Sequence, residues 1–135
     1  MDVGAAWARW PEAAGFWEGK ARSLFGATRL GEIAAQEAAS KHVSRSQLRE
    51  RLIRLQAIWP DLRERLRAQL LPLQELRNKL MEAGAPVRPE AIGISSQQLR
   101  GGFLQAWFIR RRFTVLDLAM QTGLWDDCLH NLFRH

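Results

Sequence analysis

The chain has 135 residues, 47% hydrophobic and 25% charged, a balance that suits one globular domain with its own core and excludes extended disorder. A lone cysteine, Cys128, excludes an internal disulfide; no apolar run approaches the roughly 18 residues of a membrane span, and the N-terminus lacks the basic-then-apolar order of a secretory signal. The net charge is +6, and residues 41–80 concentrate it, with ten basic side chains against four acidic, which raises nucleic acid or an anionic surface as a partner.

The predicted elements are helices throughout. Ala, Leu, Arg, Gln and Glu dominate, tyrosine is absent, and no window alternates apolar and polar long enough for a strand. Pro11 predicts a helix start and Gly26 its stop, with Phe16, Trp17, Leu24 and Phe25 available for burial. An Ala-rich helix follows from about Leu30 to Ser40. Ser44 with Gln47 has the spacing of a capping box, and Leu48, Leu52, Leu55 and Trp59 then form an apolar stripe. Pro60 is expected to break or kink that helix, after which Leu62, Leu66 and Leu70 continue the period. Pro72 marks a further start, with Leu73, Leu76 and Leu80 as its apolar face, and Gly84 occupies the left-handed position past its end. Residues 84–95, GAPVRPEAIGIS, read as a loop. Ser95 with Gln98 is a second capping box, opening a helix to about Ile109. Thr114 with Asp117 is a third, Gly123 ends that helix, and a short helix from about Trp125 to Phe133 closes the chain. The expected fold is an all-α multi-helix bundle, residues 1–135 forming a single helical domain.

Few residues offer chemistry. Arg49, Arg51, Arg54, Arg63, Arg65 and Arg67 could meet phosphates, but Glu50–Arg54, Asp61–Arg65 and Glu75–Lys79 are spaced as intrahelical ion pairs, which a solvated face explains. Nucleic acid is the weaker reading, since no standard reader motif is present. Arg110, Arg111 and Arg112 are the sharper candidates for an anion or cleft contact, because guanidinium binds oxyanions bidentately. As consecutive helical residues they would point about 100° apart, so the competing reading is a helix cap paired with acids. His42, His130 and His135 are scattered, and Asp126 with His130 supplies only two of the ligands a metal requires, so the pair reads as a carboxylate-oriented surface histidine. Cys128 reads as a small core residue. Gly101-Gly102 follows no strand and is not a nucleotide fingerprint; close packing against a neighbour would explain its presence in a helix. The six tryptophans read as core, with interface cover for some of Trp7, Trp10 and Trp17 as the sharper alternative.

Three strings carry a family likeness: WPDLRERLRAQLLP at 59–72, GAPVRPEAIGIS at 84–95 and FIRRRFTVLDLA at 108–119. In this order and spacing they resemble the C-terminal helical part of bacterial glycerol-1-phosphate dehydrogenases, of the iron-containing alcohol dehydrogenase and dehydroquinate synthase superfamily. The likeness is strongest over about residues 44–135. It implies a cytoplasmic, two-domain parent in which a nucleotide-binding domain holds NAD(P) and an Asp and two His hold a divalent metal. The parent would reduce dihydroxyacetone phosphate to sn-glycerol 1-phosphate for phospholipid metabolism. No residue here matches the family's catalytic, cofactor or metal positions, so no such site is assigned. On this likeness the chain is a fragment, inactive alone, whose first partner is the missing N-terminal nucleotide-binding domain, with a homo-oligomer also compatible. The alternatives are part of a dehydroquinate synthase-like enzyme and a free-standing helical interaction module.

Overall fold

A computed structural model describes residues 2–133. His135 lies outside the described residues. These are arranged as eight α-helices and one short 3-10 turn, with no strand among them. The helices are α1 (Val3–Arg9), α2 (Phe16–Phe25), α3 (Arg29–Lys41), α4 (Arg45–Gln69), α5 (Leu73–Glu82), α6 (Ser96–Phe108), α7 (Val115–Gln121) and α8 (Trp125–Leu132), and the 3-10 turn covers Pro89–Ile92 inside the 84–95 segment. All three capping boxes form: the side chains of Ser44, Ser95 and Thr114 each close the first turn of their helix while Gln47, Gln98 and Asp117 reach back.

Two expected boundaries differ. Pro11 does not open a helix. An additional helix, α1, precedes it, capped by Asp2, whose carboxylate accepts from the Ala5 amide at 3.0 Å, and α2 begins only at Phe16. The break has a cause in Trp10, which the following proline pushes into extended backbone. Its indole Nε1 donates to the Val43 carbonyl at 2.9 Å, while Arg45 Nε donates to the Trp10 carbonyl at 2.8 Å. The chain is therefore pinned to the start of α4 just where a continuous helix would have to pass. Conversely, Pro60 does not end α4, which runs 25 residues through it. Proline removes only the bond to the Gln56 carbonyl, and both residues are exposed, so water can take the freed acceptor.

The core has two adjoining parts. In one, α3 presents Ala34, Ala35 and Ala38 to Ala21 of α2 and to Trp107 and Phe108 of α6. Small residues let α2 and α3 approach closely. A Cβ at Gly31 would collide with the Gly26 carbonyl oxygen, so glycine is required there. In the other, Ala6 and Trp10 of the α1 region meet Val43, Leu48 and Leu52. Trp17 and Met120 border both parts, and Trp17 stacks edge-on against Trp107 with ring centroids 4.8 Å apart. Burying side chains such as Phe108, Leu48 and Leu52 contributes roughly 1.5–3 kcal/mol each.

The six tryptophans thus divide: Trp10 and Trp107 are buried in the core, Trp17 packs half-buried between its two parts, Trp125 is half-buried on α8, and Trp7 and Trp59 remain exposed. A run of exposed apolar residues lies on α4 and α5. The α4 stripe is fully buried at Leu48 and Leu52, then emerges into solvent at Ile58 and Trp59. It runs on into Leu70, Leu73, Leu76 and Leu80, with Leu73 71% exposed. Cys128, expected in the core, is exposed, because α8 turns Leu129 inward instead.

Candidate functional site

The polar centre of the molecule starts from the third capping box. Asp117 is the third residue of α7, so its carboxylate returns to the helix start, where Oδ2 accepts from the Thr114 amide at 2.7 Å and the Thr114 hydroxyl at 2.9 Å. Its other oxygen turns inward and accepts from the Trp107 indole at 2.9 Å. Lys41, the last residue of α3, reaches the same Oδ1 at 3.2 Å and also donates to the Trp107 carbonyl. The ammonium lies 4.3 Å from the centre of the Trp107 ring. Both charged side chains are nearly buried, Lys41 at 9% and Asp117 at 4% exposure. Burial pulls the Lys41 ammonium below its ordinary range, and Asp117, then Glu37, partly restores it. A carboxylate with four donors and an ammonium already shared between two acceptors are positioned to hold helices together rather than to exchange protons with a substrate.

Arg110, Arg111 and Arg112 lie in the α6–α7 connection, between the helix end expected near Ile109 and the Thr114 cap, so the helical spacing of about 100° does not apply to them. Helix α6 ends at Phe108 because Trp107 and Phe108 turn into the core, and the chain must then reach the Thr114 cap. Arg111 forms a bidentate bridge to Glu37 on α3, Nε–Oε2 3.2 Å and Nη2–Oε1 3.0 Å, and these bonds raise its guanidinium above an already high range. Arg110 and Arg112 are exposed and form no ion pair among the described residues.

Arg111 stands at the edge of a cleft of about 510 Å³ between the C-terminal end of α3, the middle of α4, and α7. Leu52, Leu55, Ile58, Phe113 and Leu118 form its apolar walls, and Lys41, His42, Arg51, Arg54 and Arg111 its basic side. A second cleft of about 470 Å³ opens on the other side of Leu55 and Leu118, with Trp59, Leu124 and Cys128 in an almost wholly apolar lining. Leu55 of α4 and Leu118 of α7 line both clefts. Arg110 and Arg112 line neither cleft.

The remaining sequence candidates do not converge. Of the three i,i+4 ion pairs, Glu75–Lys79 forms at 3.6 Å, Arg67 instead meets Glu64 three residues before it at 3.2 Å, and neither Arg54 nor Arg65 is paired among the described residues. Asp126 and His130 are both exposed on α8, with no hydrogen bond between them. Among the described residues no three His, Cys, Asp or Glu side chains gather as a metal-ligand set. Gly101 and Gly102 are helical, but a Cβ at either would meet no atom within 4 Å, so close packing within the chain does not explain them.

Sequence reasoning missed Lys41 and Glu37. Both sit at the end of an Ala-rich helix with no local partner, 76 and 74 positions before Asp117 and Arg111. Asp117 was visible only as a capping residue. Comparison of the chain with known protein families, with curated proteins and with solved structures finds no match.

Proposed function

We propose that this chain is the C-terminal helical portion of an NAD(P)- and metal-dependent sn-glycerol-1-phosphate dehydrogenase, with a dehydroquinate synthase-like helical fold, and that it is inactive alone. The reading rests on the three strings at 59–72, 84–95 and 108–119, and one structural observation carries it further. The apolar stripe of α4 is buried at Leu48 and Leu52, exposed at Ile58 and Trp59, half-buried at Leu62 and Leu66, and exposed again at Leu70 and along α5, a surface suited to packing against the rest of a larger molecule. Among the described residues no three His, Cys, Asp or Glu side chains gather as a metal would require, and there is no strand to lead into a nucleotide loop. On this reading NAD(P), the metal and its ligand set belong to the upstream nucleotide-binding domain and its junction, as the likeness implies, and no step of the reaction is assigned to residues of this chain.

A free-standing helical interaction module would use the same bare stripe for a different partner. Two measurements separate the readings. The purified chain, given dihydroxyacetone phosphate, a divalent metal and NADH or NADPH, is expected to oxidise neither nucleotide; clear turnover would overturn the proposal. The genomic DNA upstream of the Met1 codon is expected to encode, in frame, a glycine-rich nucleotide-binding segment and metal-binding histidines. A promoter and ribosome-binding site directly before that codon would favour the module.

A further inference from the structure

The cleft between α3, α4 and α7 holds charge that the protein does not use. Lys41 is committed to Asp117 and Arg111 to Glu37, so their charges are balanced internally. Arg51 and Arg54 are not. They sit three residues apart on α4, on neighbouring azimuths of the helix, and both line the cleft, yet neither has a carboxylate within ion-pair distance among the described residues. Among the described residues the only carboxylate lining the cleft is Asp117, already engaged by four donors. His42 lines it too, with its Nδ1 buried and unpartnered. Beneath these groups the walls are apolar: Leu52, Leu55, Ile58 and Leu118.

Two uncompensated guanidinium groups at the mouth of an apolar hollow of about 510 Å³ suit a ligand of divided character. A single carboxylate would balance one of them. A phosphate monoester carries close to two negative charges at neutral pH and offers three acceptor oxygens. An apolar or aromatic body attached to it would replace water against the leucines. From this geometry we infer that the cleft binds a small phosphate monoester with an apolar body, the phosphate between Arg51 and Arg54 and the body against Leu55, Ile58 and Leu118. The inference uses none of the likeness to the dehydrogenases and stands whether or not that reading holds.

Phenyl phosphate is the probe, titrated into the full chain by calorimetry and by amide chemical shifts at low salt. Phenyl phosphate should bind more tightly than inorganic phosphate or benzoate, with shifts at Leu55, Ile58 and Leu118. R51Q/R54Q, altering two exposed residues, should weaken it by about tenfold or more. R63Q/R67Q removes the same charge from α4 away from the cleft and should change it less than about twofold, the screening expected of distant surface charges. Equal weakening by both double variants, indifference to R51Q/R54Q in a chain with unchanged circular dichroism, or equal affinity for inorganic and phenyl phosphate would each overturn the inference. Phosphatidylcholine vesicles containing phosphatidic acid identify the source of the monoester. Binding to them that phenyl phosphate displaces, and that R51Q/R54Q loses, supports a lipid headgroup; absence of vesicle binding with retained phenyl phosphate binding supports a soluble ligand.

Discussion

Asp117 shows how much one side chain can be asked to hold. It caps α7 through Thr114, fixes the Trp107 indole of α6 and neutralises Lys41 of α3, so three helices meet on one carboxylate. Breaking a buried pair from one side leaves the other charge uncompensated, which is more damaging than the pair is stabilising. Asp117→Ala is therefore expected to destabilise the fold by about 3–5 kcal/mol, read as a lowered urea midpoint. Lys41→Met should be milder, because Asp117 keeps its three other donors. The pair also sets a pH dependence. Desolvation lowers the Lys41 pKa from 10.5 in the folded chain, with Asp117 and Glu37 opposing it. Below that lowered value both states hold the proton and Lys41 adds no slope. Between it and 10.5 the unfolded chain holds more protons, so stability rises with pH. Urea midpoints taken across this alkaline window should show a rising component in the parent chain that Lys41→Met lacks; identical profiles would remove Lys41 as the titrating group.

At the scale of elements, legibility followed the range of the forces involved. The capping boxes at Ser44, Ser95 and Thr114 are written in four consecutive residues, and all three formed. The left-handed glycines that close α5 and α7, Gly84 and Gly123, were equally local. Pro11 does not start a helix and Pro60 does not break one, because each proline's effect is decided at a distance or by solvent. The start of α4 pins Trp10 before Pro11, and Pro60 and Gln56 are exposed to solvent. The cleft is the least legible feature, since it depends on how α3, α4 and α7 are placed together, which no spacing records; Arg51, Arg54 and Arg111 are visible in the sequence as anion candidates, but Leu52 and Leu55 only as a stripe, Asp117 only as a cap and His42 only as a scattered histidine. Glycines allow a direct check of the element scale. Gly101 and Gly102 have open space where a Cβ would stand and helical backbone around them, so alanine at both should stabilise α6 by about 1 kcal/mol each. Gly31→Ala has the same local merit but meets the Gly26 carbonyl oxygen, and it should destabilise. Thermal melts of the three variants that moved in one direction together would contradict this division.

The molecule as a whole is a compact body, built on α1–α3 and α6–α8, from which the distal part of α4 and all of α5 extend an apolar row. The row is amphipathic in the ordinary way, with Leu62, Leu66, Leu73, Leu76 and Leu80 at helical spacing and arginines beside them; Leu62 and Leu66 are half-buried, and Leu73, Leu76 and Leu80 are exposed among the described residues. Bare leucines contribute little to the stability of the isolated chain and much to its tendency to associate. These two consequences can be separated by experiment. Leu73→Glu, Leu76→Glu and Leu80→Glu together replace three exposed residues, so the thermal midpoint should change little, within the range of about 0.5 kcal/mol per site typical of surface substitutions. Association should change sharply. Sedimentation velocity of the parent chain is expected to show concentration-dependent oligomers, and the triple variant to run as a monomer. If the variant instead unfolds, α5 packs on the body more firmly than its exposure indicates. If the parent chain is already a stable monomer at high concentration, the stripe is not the sticky surface on which the reading of this chain as part of a larger molecule depends.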